Sequence, residues 1–209
     1  MSYFPIFLEM TGRRCLVIGG GVVAERKIAG LLEVGAEVTV ISPKVTEAIS
    51  QWSKNNSIQL EGRCYRIGDL AGYQLVFVAT DDPEVNDRVY QEGASCGVWV
   101  NAADDPAHCD FILPAVIRRG DLTVAISTGG ASPAATRAIR EELDDYFTAE
   151  YSQLVQVAAE VRMELKENSL NAGAGAWNSA LKGEFRRLIW AGRPEQAKDF
   201  LLTTLGARS

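Results

Sequence analysis

The fold is decided by the stretch Cys15-Leu-Val-Ile-Gly-Gly-Gly-Val-Val-Ala24. Four apolar residues of the strand type run directly into three glycines, and a helical pattern follows at once. Gly19, Gly21 and Ala24 fill the pattern G-x-G-x-x-A of a dinucleotide-binding turn. The first glycine permits a sharp turn, the second lets a pyrophosphate approach, and the alanine lets the helix pack closely on the sheet. The sequence therefore predicts a nucleotide site at this helix start, although such glycines also occur in ordinary turns.

Composition and charge limit the classes of protein to which the chain can belong. Its 209 residues, 47% hydrophobic and 23% charged, suit one large globular domain or a domain with an appendage. The net charge of −6 argues against general binding to nucleic acid or to a membrane surface. There is no signal-peptide pattern, and no apolar run approaches the ~18 residues of a membrane span. We therefore expect a cytoplasmic protein.

The cysteines and the single histidine predict no metal site. The cysteines are widely spaced, form no C-x-x-C pair and are interpreted as reduced thiols: Cys15, Cys64, Cys96 and Cys109. His108 has acidic neighbours and a cysteine beside it, but no second histidine supports a metal ligand set. We interpret His108 as a surface histidine of a loop.

Strand and helix patterns alternate over the first half of the chain and predict a doubly wound parallel sheet. Strands after the first are predicted at residues 36–41, 74–79 and 98–101, with one or two short strands at residues 58–60 and 64–67. Helices are predicted at residues 45–52 and 83–96, the second with Asp82 as its N-cap. A hairpin at Gly12 is expected to place residues 5–8 beside the first strand.

Ligands of such sheets bind beyond the carboxyl ends of the strands. This rule gathers residues 19–23, 42–44, 80–81 and 101–105 around one crevice, so Thr80 and Asn101 are candidate cofactor contacts. The second strand ends in Ser42-Pro43-Lys44, where dinucleotide folds usually place Asp or Glu for the ribose. Ser42 suits a ribose hydroxyl and Lys44 a 2′-phosphate, which leaves the choice between NAD and NADP open.

Two adjacent carboxylates, Asp104 and Asp105, follow the strand that ends near Asn101. Because two adjacent negative charges repel each other, one of them could act as a general base beside a hydride acceptor. Asp-Asp-Pro is also ordinary turn chemistry. The residues alone leave both interpretations open.

The second half of the chain changes its period after residue 110. Residues 111–119 and 122–127 flank Arg119-Gly120-Asp121 and predict a β-hairpin, which extends the fold or pairs with a second subunit. Only helical patterns follow, over residues 133–147, 149–166, 176–190 and 194–205.

A glycine-rich turn, residues 127–133, precedes the first of these helices and offers free N–H groups to an anion. The candidate substrate-binding residues are those of this turn and the arginines near it: Ser127, Gly129, Gly130, Arg118, Arg137 and Arg140. Cations clustered in an acidic protein suggest a polyanionic substrate. The alternative is a solvated helix face, with the arginines paired to nearby carboxylates.

Six motifs in this order resemble those of the precorrin-2 dehydrogenase family, which also occurs as the N-terminal module of sirohaem synthase. They cover about residues 3–145 and are Pro5-Ile-Phe-Leu8, Val17-Ile-Gly-Gly-Gly-Val-Val-Ala-Glu-Arg-Lys27, Ala79-Thr-Asp-Asp82, Val85-Asn86, Asn101 with Asp104, and Ser127-Thr-Gly-Gly-Ala-Ser-Pro133. The resemblance implies a homodimer with three parts: a Rossmann-type NAD-binding domain (residues 1–112), a dimerisation hairpin and helix (113–148), and a helical C-terminal domain (149–209).

The resemblance also implies an activity: NAD⁺ takes a hydride from precorrin-2, which gives sirohydrochlorin on the route to sirohaem. Val22, Val23, Pro43 and Lys44 match the NAD-contacting positions of the family. Asp104 matches its catalytic aspartate. Since the substrate carries eight carboxylates, it would account for the arginines near the glycine-rich turn.

The resemblance further matches Ser127 to a serine of the tetrapyrrole site that is phosphorylated in some members. We expect the chain to lack the methyltransferase domain of the fused enzyme. One alternative is a bifunctional enzyme that also inserts ferrous iron. A second, of another class, is a non-catalytic NAD(H)-sensing module, which would need the glycine turn but not Asp104.

Overall fold

The computed structural model describes residues 3–103 and 105–207. The chain divides into two compact units, Met1–Leu113 and Pro114–Ser209. The predicted NAD-binding domain, residues 1–112, stays a prediction in its bounds. The further division of the second part at residue 148 stays a prediction.

The first unit contains a five-stranded parallel sheet of order β3-β2-β1-β4-β5. Its strands are β1 (Arg14–Ile18), β2 (Glu37–Ile41), β3 (Gln59–Glu61), β4 (Leu75–Val78) and β5 (Trp99–Ala102). Its helices are α1 (Val22–Glu33), α2 (Glu47–Lys54) and α3 (Pro83–Cys96), and a 3-10 turn spans Pro106–His108. This alternation confirms the predicted α/β, Rossmann-type sheet.

The central strands β1 and β4 are apolar, apart from Arg14 at the start of β1, because both of their faces are covered. Every residue of β4 is buried, and β1 is buried after its first residue. Successive side chains point to opposite faces, so Val17 and Phe77 belong to one cluster with α1, while Leu16 and Val76 belong to a second cluster with α3. The sheet is thereby held between helices, and only its strand ends are open for a ligand.

The second unit begins with an antiparallel hairpin, as the sequence predicts, and continues as helices. The hairpin strands are β6 (Ala115–Arg119) and β7 (Leu122–Ile126). The helices are α4 (Pro133–Tyr146), α5 (Glu150–Glu167), α6 (Ala174–Ala180), α7 (Glu184–Trp190) and α8 (Pro194–Thr204). Helices α5 to α8 share one apolar core. No helix within the described residues is long and apolar enough to span a membrane.

The structure corrects the prediction of a strand at residues 5–8. The turn at Gly12 is present, with a φ of +67° and a bond from its N–H to Gly35 O, but the preceding residues form no strand. The physical reason is that β1 already pairs with β2 on one side and with β4 on the other. No edge of β1 is available for another strand.

Two other predicted elements also differ. Residues 64–67 form no strand, because Asp69 binds the Arg63 side chain and the Arg66 N–H and so holds this segment in a loop. The helix predicted over residues 176–190 is two helices, α6 and α7. Gly183 separates them with a φ of +53° and a ψ of −113°, a conformation outside the helical region.

Candidate functional site

The glycine turn after β1 passes very close to the two strand ends beside it. Gly19 has a φ of +122°, and a Cβ atom there would lie 2.1 Å from the Ala79 carbonyl oxygen, beyond the end of β4. At Gly20 a Cβ would lie 2.1 Å from the Lys44 carbonyl oxygen, beyond the end of β2. The predicted role of Gly19 is confirmed. The requirement at Gly20 was missed, because it depends on packing against a residue distant in the sequence.

Gly21 differs from both, because a Cβ built on it meets no atom within 4 Å. It is the N-cap of α1, and its carbonyl accepts from the Glu25 N–H at 3.0 Å. The N–H groups of the first helical turn have no acceptor inside the helix, so they are available to an anion. Val22 is 66% exposed at this point. The turn therefore has the open cradle and the free donors that a pyrophosphate requires.

The segment after β2 is attached to the glycine turn. Thr46 N–H donates to Gly20 O at 2.9 Å, and the Ser42 hydroxyl donates to Lys44 O at 2.6 Å. Ser42 is buried, whereas Pro43 and Lys44 are exposed. Since the proton of Ser42 is used within the turn, its oxygen can serve a ribose hydroxyl only as an acceptor. Lys44 is placed at the surface, where a phosphate group is accessible to it.

The segment after β4 lies next to the glycine turn, since Ala79 N–H donates to Ile18 O at 2.8 Å. Thr80 is half-buried, and its hydroxyl accepts from the Asp82 N–H at 3.2 Å. The Asp82 carboxylate accepts from Glu84 N–H at 3.0 Å, which confirms it as the N-cap of α3. This carboxylate is therefore part of the helix start.

Asn101 is buried at the carboxyl end of β5 and makes polar contacts on both sides. Its Oδ1 accepts from Lys27 Nζ at 2.8 Å, and its Nδ2 donates to the Phe111 carbonyl at 2.8 Å. Lys27 belongs to α1, the helix that starts at the glycine turn. Sequence reasoning quoted Lys27 within a motif but assigned it no role. The one signal in the sequence was the helical position of Lys27, which places it on the side of α1 that faces the sheet.

Asp104, the predicted catalytic residue, lies outside the described residues. Its neighbour Asp105 binds His108, with Asp105 Oδ2 at 2.6 Å from His108 Nδ1. The other ring nitrogen of His108 lies 3.4 Å from Asp87 Oδ1 on α3, and the Tyr90 ring meets the imidazole edge-on at 5.2 Å. His108 lies partly exposed in a loop, as the sequence predicts, but its contacts go beyond those expected of a surface residue. It joins the 3-10 turn to α3.

The predicted substrate-binding residues belong to the second unit. The Ser127 hydroxyl accepts from Gly129 N–H at 3.0 Å, and Gly129 and Gly130 have φ values of +63° and +85°. Ser127 and both glycines are exposed, so the backbone of this turn is open to a ligand. Ser132 N-caps α4 through the Ala135 N–H at 3.1 Å, as predicted.

The arginines of this unit differ in how they are held. Arg137 on α4 and Arg118 on β6 are exposed. Arg140 lies 3.7 Å from the Glu141 carboxylate, and Arg119 donates to the Asp144 carboxylate at 3.0 Å. Arg119 is thus part of the packing of the hairpin on α4. The assignment of Arg118, Arg137 and Arg140 to a substrate stays a prediction.

Two sequence families match the chain. Residues 6–115, slightly more than half of the chain, match the family described as "Putative NAD(P)-binding". Residues 119–146 match the family described as "Sirohaem biosynthesis protein central". The first match contains every strand end of the crevice described above, and the second contains the glycine-rich turn and α4. The chain therefore belongs to an NAD(P)-binding family over the part that contains these strand ends.

Curated relatives and one solved structure resemble the whole chain. The siroheme synthase of Nitrosococcus oceani is 40% identical over 207 residues, which are 98% of this chain and 44% of the relative. The siroheme synthase of Methylococcus capsulatus is 36% identical over 209 residues, 99% of this chain and 44% of the relative. The chain thus spans less than half the length of these relatives. The structure of SirC, precorrin-2 dehydrogenase, matches with a TM-score of 0.74 and 28% identity over 99% of this chain and 100% of that one.

The glycine turn leads to a first prediction, in which two neighbouring glycines respond differently. Gly21→Asp should abolish binding of NAD⁺ because it places a negative charge at the phosphate cradle, yet the fold should persist because its Cβ meets no atom within 4 Å. Gly20→Ala should lower the melting temperature, since its Cβ would collide with the Lys44 carbonyl. Calorimetry for NAD⁺ and thermal unfolding measure the two effects. Unchanged NAD⁺ affinity in Gly21→Asp would contradict the site.

A second prediction concerns pH. The hydrogen bond to Asp105 is the main cause that raises the pKa of His108, with the Asp87 carboxylate contributing. Because the folded state has the higher pKa, the stabilisation by charged His108 is complete below the unfolded value of about 6.5 and is lost as the pH rises through the folded value. The free energy of unfolding of the parent should therefore exceed that of His108→Gln by the largest amount at about pH 5.5 and by the smallest amount at about pH 8.5. A difference that is constant over this range in urea titrations would contradict the assignment.

Proposed function

Because the chain belongs to the precorrin-2 dehydrogenase family, we propose that it oxidises precorrin-2 to sirohydrochlorin with NAD⁺. The observation that carries the proposal is the open cradle at Gly21, at the start of the helix whose Lys27 binds the buried Asn101 at the carboxyl end of β5 in the same parallel sheet. A binding cradle alone would also suit a sensor. The structure of SirC, precorrin-2 dehydrogenase, matches along its full length and favours the enzyme.

The described residues fit NAD as the cofactor. The first turn of α1, with the N–H groups of Val22 and Val23, would hold the pyrophosphate. Pro43 and Lys44 are exposed at the neighbouring strand end, where the family places cofactor contacts. An acceptor oxygen of Ser42, in place of the usual carboxylate, would receive a ribose hydroxyl. Bound NAD⁺ supplies an acceptor for one hydride.

The residues of the chain must accept the proton that accompanies the hydride. Removing two electrons from precorrin-2 as hydride leaves one proton on the macrocycle, and a base near the end of β5 has to remove it. We assign this role to Asp104, which follows β5 by two residues. Ser127 and the open turn behind it, with Arg118, Arg137 and Arg140, would bind the peripheral carboxylates of the substrate.

A direct assay tests the proposal. Purified chain is mixed with precorrin-2 and NAD⁺, and NADH absorbance and the sirohydrochlorin spectrum are followed together. We expect both signals in equal amounts, since one hydride is transferred for each product molecule. NADH should not form when either component is omitted. Absence of both signals from a protein that binds NAD⁺ would leave the sensing module as the correct function. Adding Fe²⁺ to the finished reaction decides whether the chain also forms sirohaem.

The role of Asp104 leads to a third prediction. Asp104→Asn keeps the size of the side chain but cannot accept the proton, so kcat should fall by roughly 10²–10⁴ while NAD⁺ affinity and melting temperature stay near those of the parent. Asp105→Asn is the matched control, because Asp105 binds His108. It should lower stability and change kcat little. Near-parental turnover of Asp104→Asn would exclude this residue as the base.

We also propose that the chain forms a homodimer through β6, β7 and α4. A two-stranded hairpin is marginally stable alone, and α4 has no buried residue in the single chain. Ile139 on α4 is 38% exposed, and residues of both hairpin strands are only half-buried. A second copy of this surface would cover these apolar side chains.

A fourth prediction follows for this interface. Ile139→Glu should convert the dimer to a monomer, because an unpaired carboxylate would be buried between two copies. The matched control is Met163→Glu, which adds the same charge at a residue of α5 that is 62% exposed. Light scattering after size exclusion measures the mass. A parent protein with the mass of one chain, 22.7 kDa, would refute the dimer.

A further inference from the structure

The carboxamide of Asn101 joins helix α1 to the chain that follows β5. Lys27 Nζ donates to its Oδ1 at 2.8 Å, and its Nδ2 donates to Phe111 O at 2.8 Å. Asn101 is only 7% exposed, so water does not replace either partner. A carboxamide has its acceptor on one side and its donors on the other. The ammonium of Lys27 therefore determines which way Asn101 faces, and only this orientation allows the bond to Phe111.

The residues beyond β5 form a loop that is closed at its base. Val100 N–H donates to the Asp110 carboxylate at 2.8 Å, and Asp110 N–H donates back to Val100 O at 2.8 Å. Cys109 forms an antiparallel bridge with Asn101, and its sulfur lies 3.6 Å from Asn101 Nδ2. The chain thus leaves the sheet after Ala102 and is back beside it at Cys109 and Asp110, next to one side chain; residues 103–110 are called the loop. Asp104 is a member of this loop.

The ammonium of Lys27 is itself held in place. It lies 5.1 Å from the centroid of the Phe77 ring, and this ring packs edge-on against Phe111 at 5.5 Å. A cation over an aromatic face is attracted to it, most strongly where water is excluded. Lys27 therefore contacts Phe77 of β4 and Asn101 of β5, and both of these residues contact Phe111. It belongs to the helix whose first turn is the proposed phosphate cradle.

We propose that Lys27 is a positioning residue, which acts through Asn101 to hold the base of the loop 103–110 at a fixed place relative to the first turn of α1. The inference deepens the proposed dehydrogenase function and rests on it for its catalytic consequence. A base and a cofactor on two different segments act together on one substrate only when the segments hold them at the correct distance and orientation. A displacement of about 1 Å can lower the rate about 10²-fold.

Three variants test the role. Lys27→Met keeps the length of the side chain and its contact with Phe77 but removes the donor to Asn101. Lys27→Arg restores a cationic donor. Lys54→Met is the matched control, since the Lys54 side chain is 64% exposed. Its Nζ lies 4.0 Å from Glu47 Oε1, which is too far for a hydrogen bond.

The first measurement is hydrogen exchange by NMR on the protein without cofactor, at the Asn101 side-chain amide and the Asp110 backbone amide. Lys27→Met should exchange at least about 10-fold faster at both, because the loop base opens more often. The second measurement is kcat together with the Kd for NAD⁺. Lys27→Met should lose roughly 10–10² in kcat while its Kd changes less than about 3-fold, and Lys27→Arg should recover most of kcat.

Each outcome decides the inference. Parental exchange in a folded Lys27→Met protein would overturn it. A loss of kcat that Lys27→Arg does not recover, or an equal loss of NAD⁺ affinity, would also overturn it. If the parent forms no NADH at all, the proposed function fails, and the exchange data alone then decide whether Lys27 holds the loop. Should Lys27→Met not fold, Lys27→Gln, whose side chain is polar but shorter, is measured in the same two ways.

Discussion

The close approach of the glycine turn to its neighbouring strand ends is the constraint on which the site depends. Gly19 lies against the carbonyl of Ala79, and Gly20 lies against the carbonyl of Lys44, at distances that leave no room for a side chain. Pairing of β1 with β2 and with β4 brings these ends together, since all three strands are parallel. With two glycines occupied by packing, the third one, Gly21, remains open toward a ligand. The same close packing therefore stabilises the turn and leaves Gly21 open as the proposed phosphate cradle.

The loop beyond β5 is held from both faces of the sheet. On the face of α1 it is joined through Asn101 to Lys27, and on the face of α3 it is joined through His108 to Asp87. Asn101 is part of β5, whereas His108 belongs to the 3-10 turn that follows it, so the two contacts are made by different parts of the chain. The proposed base belongs to this loop.

The second unit has an apolar core of its own among α5 to α8, with Phe185 and Leu201 fully buried. The hairpin and α4 contribute nothing to that core and leave apolar surface open. This contrast separates a part that is stable by internal packing from a part that suits association with a second copy. Its open glycine-rich turn and arginines, in an otherwise acidic chain, are suited to a substrate that carries many carboxylates.

Much of the fold could be predicted from the sequence because it depends on local properties. The apolar runs of β1 and β4, the N-cap at Asp82 and the glycines of the turn are each recognised from a few consecutive residues, and the structure confirms them. The resemblance to the family could also be recognised from the sequence, because its motifs are short runs of residues in a fixed order. Whether Asp104 is a base or a turn residue stays a prediction, because one sequence shows its neighbours in the chain but not its surroundings.

Only the tertiary structure decided which distant groups meet. Residues 5–8 have the pattern of a strand, yet they form none because both edges of β1 are already paired. Lys27 and Asn101 are 74 residues apart in the sequence. His108 and Asp87 are separated in the sequence by a strand. No local pattern could therefore have predicted either contact. Local periodicity reports how a segment can fold by itself. Which strands pair with a given edge, and which groups bind a buried polar side chain, is determined only when the whole chain is packed.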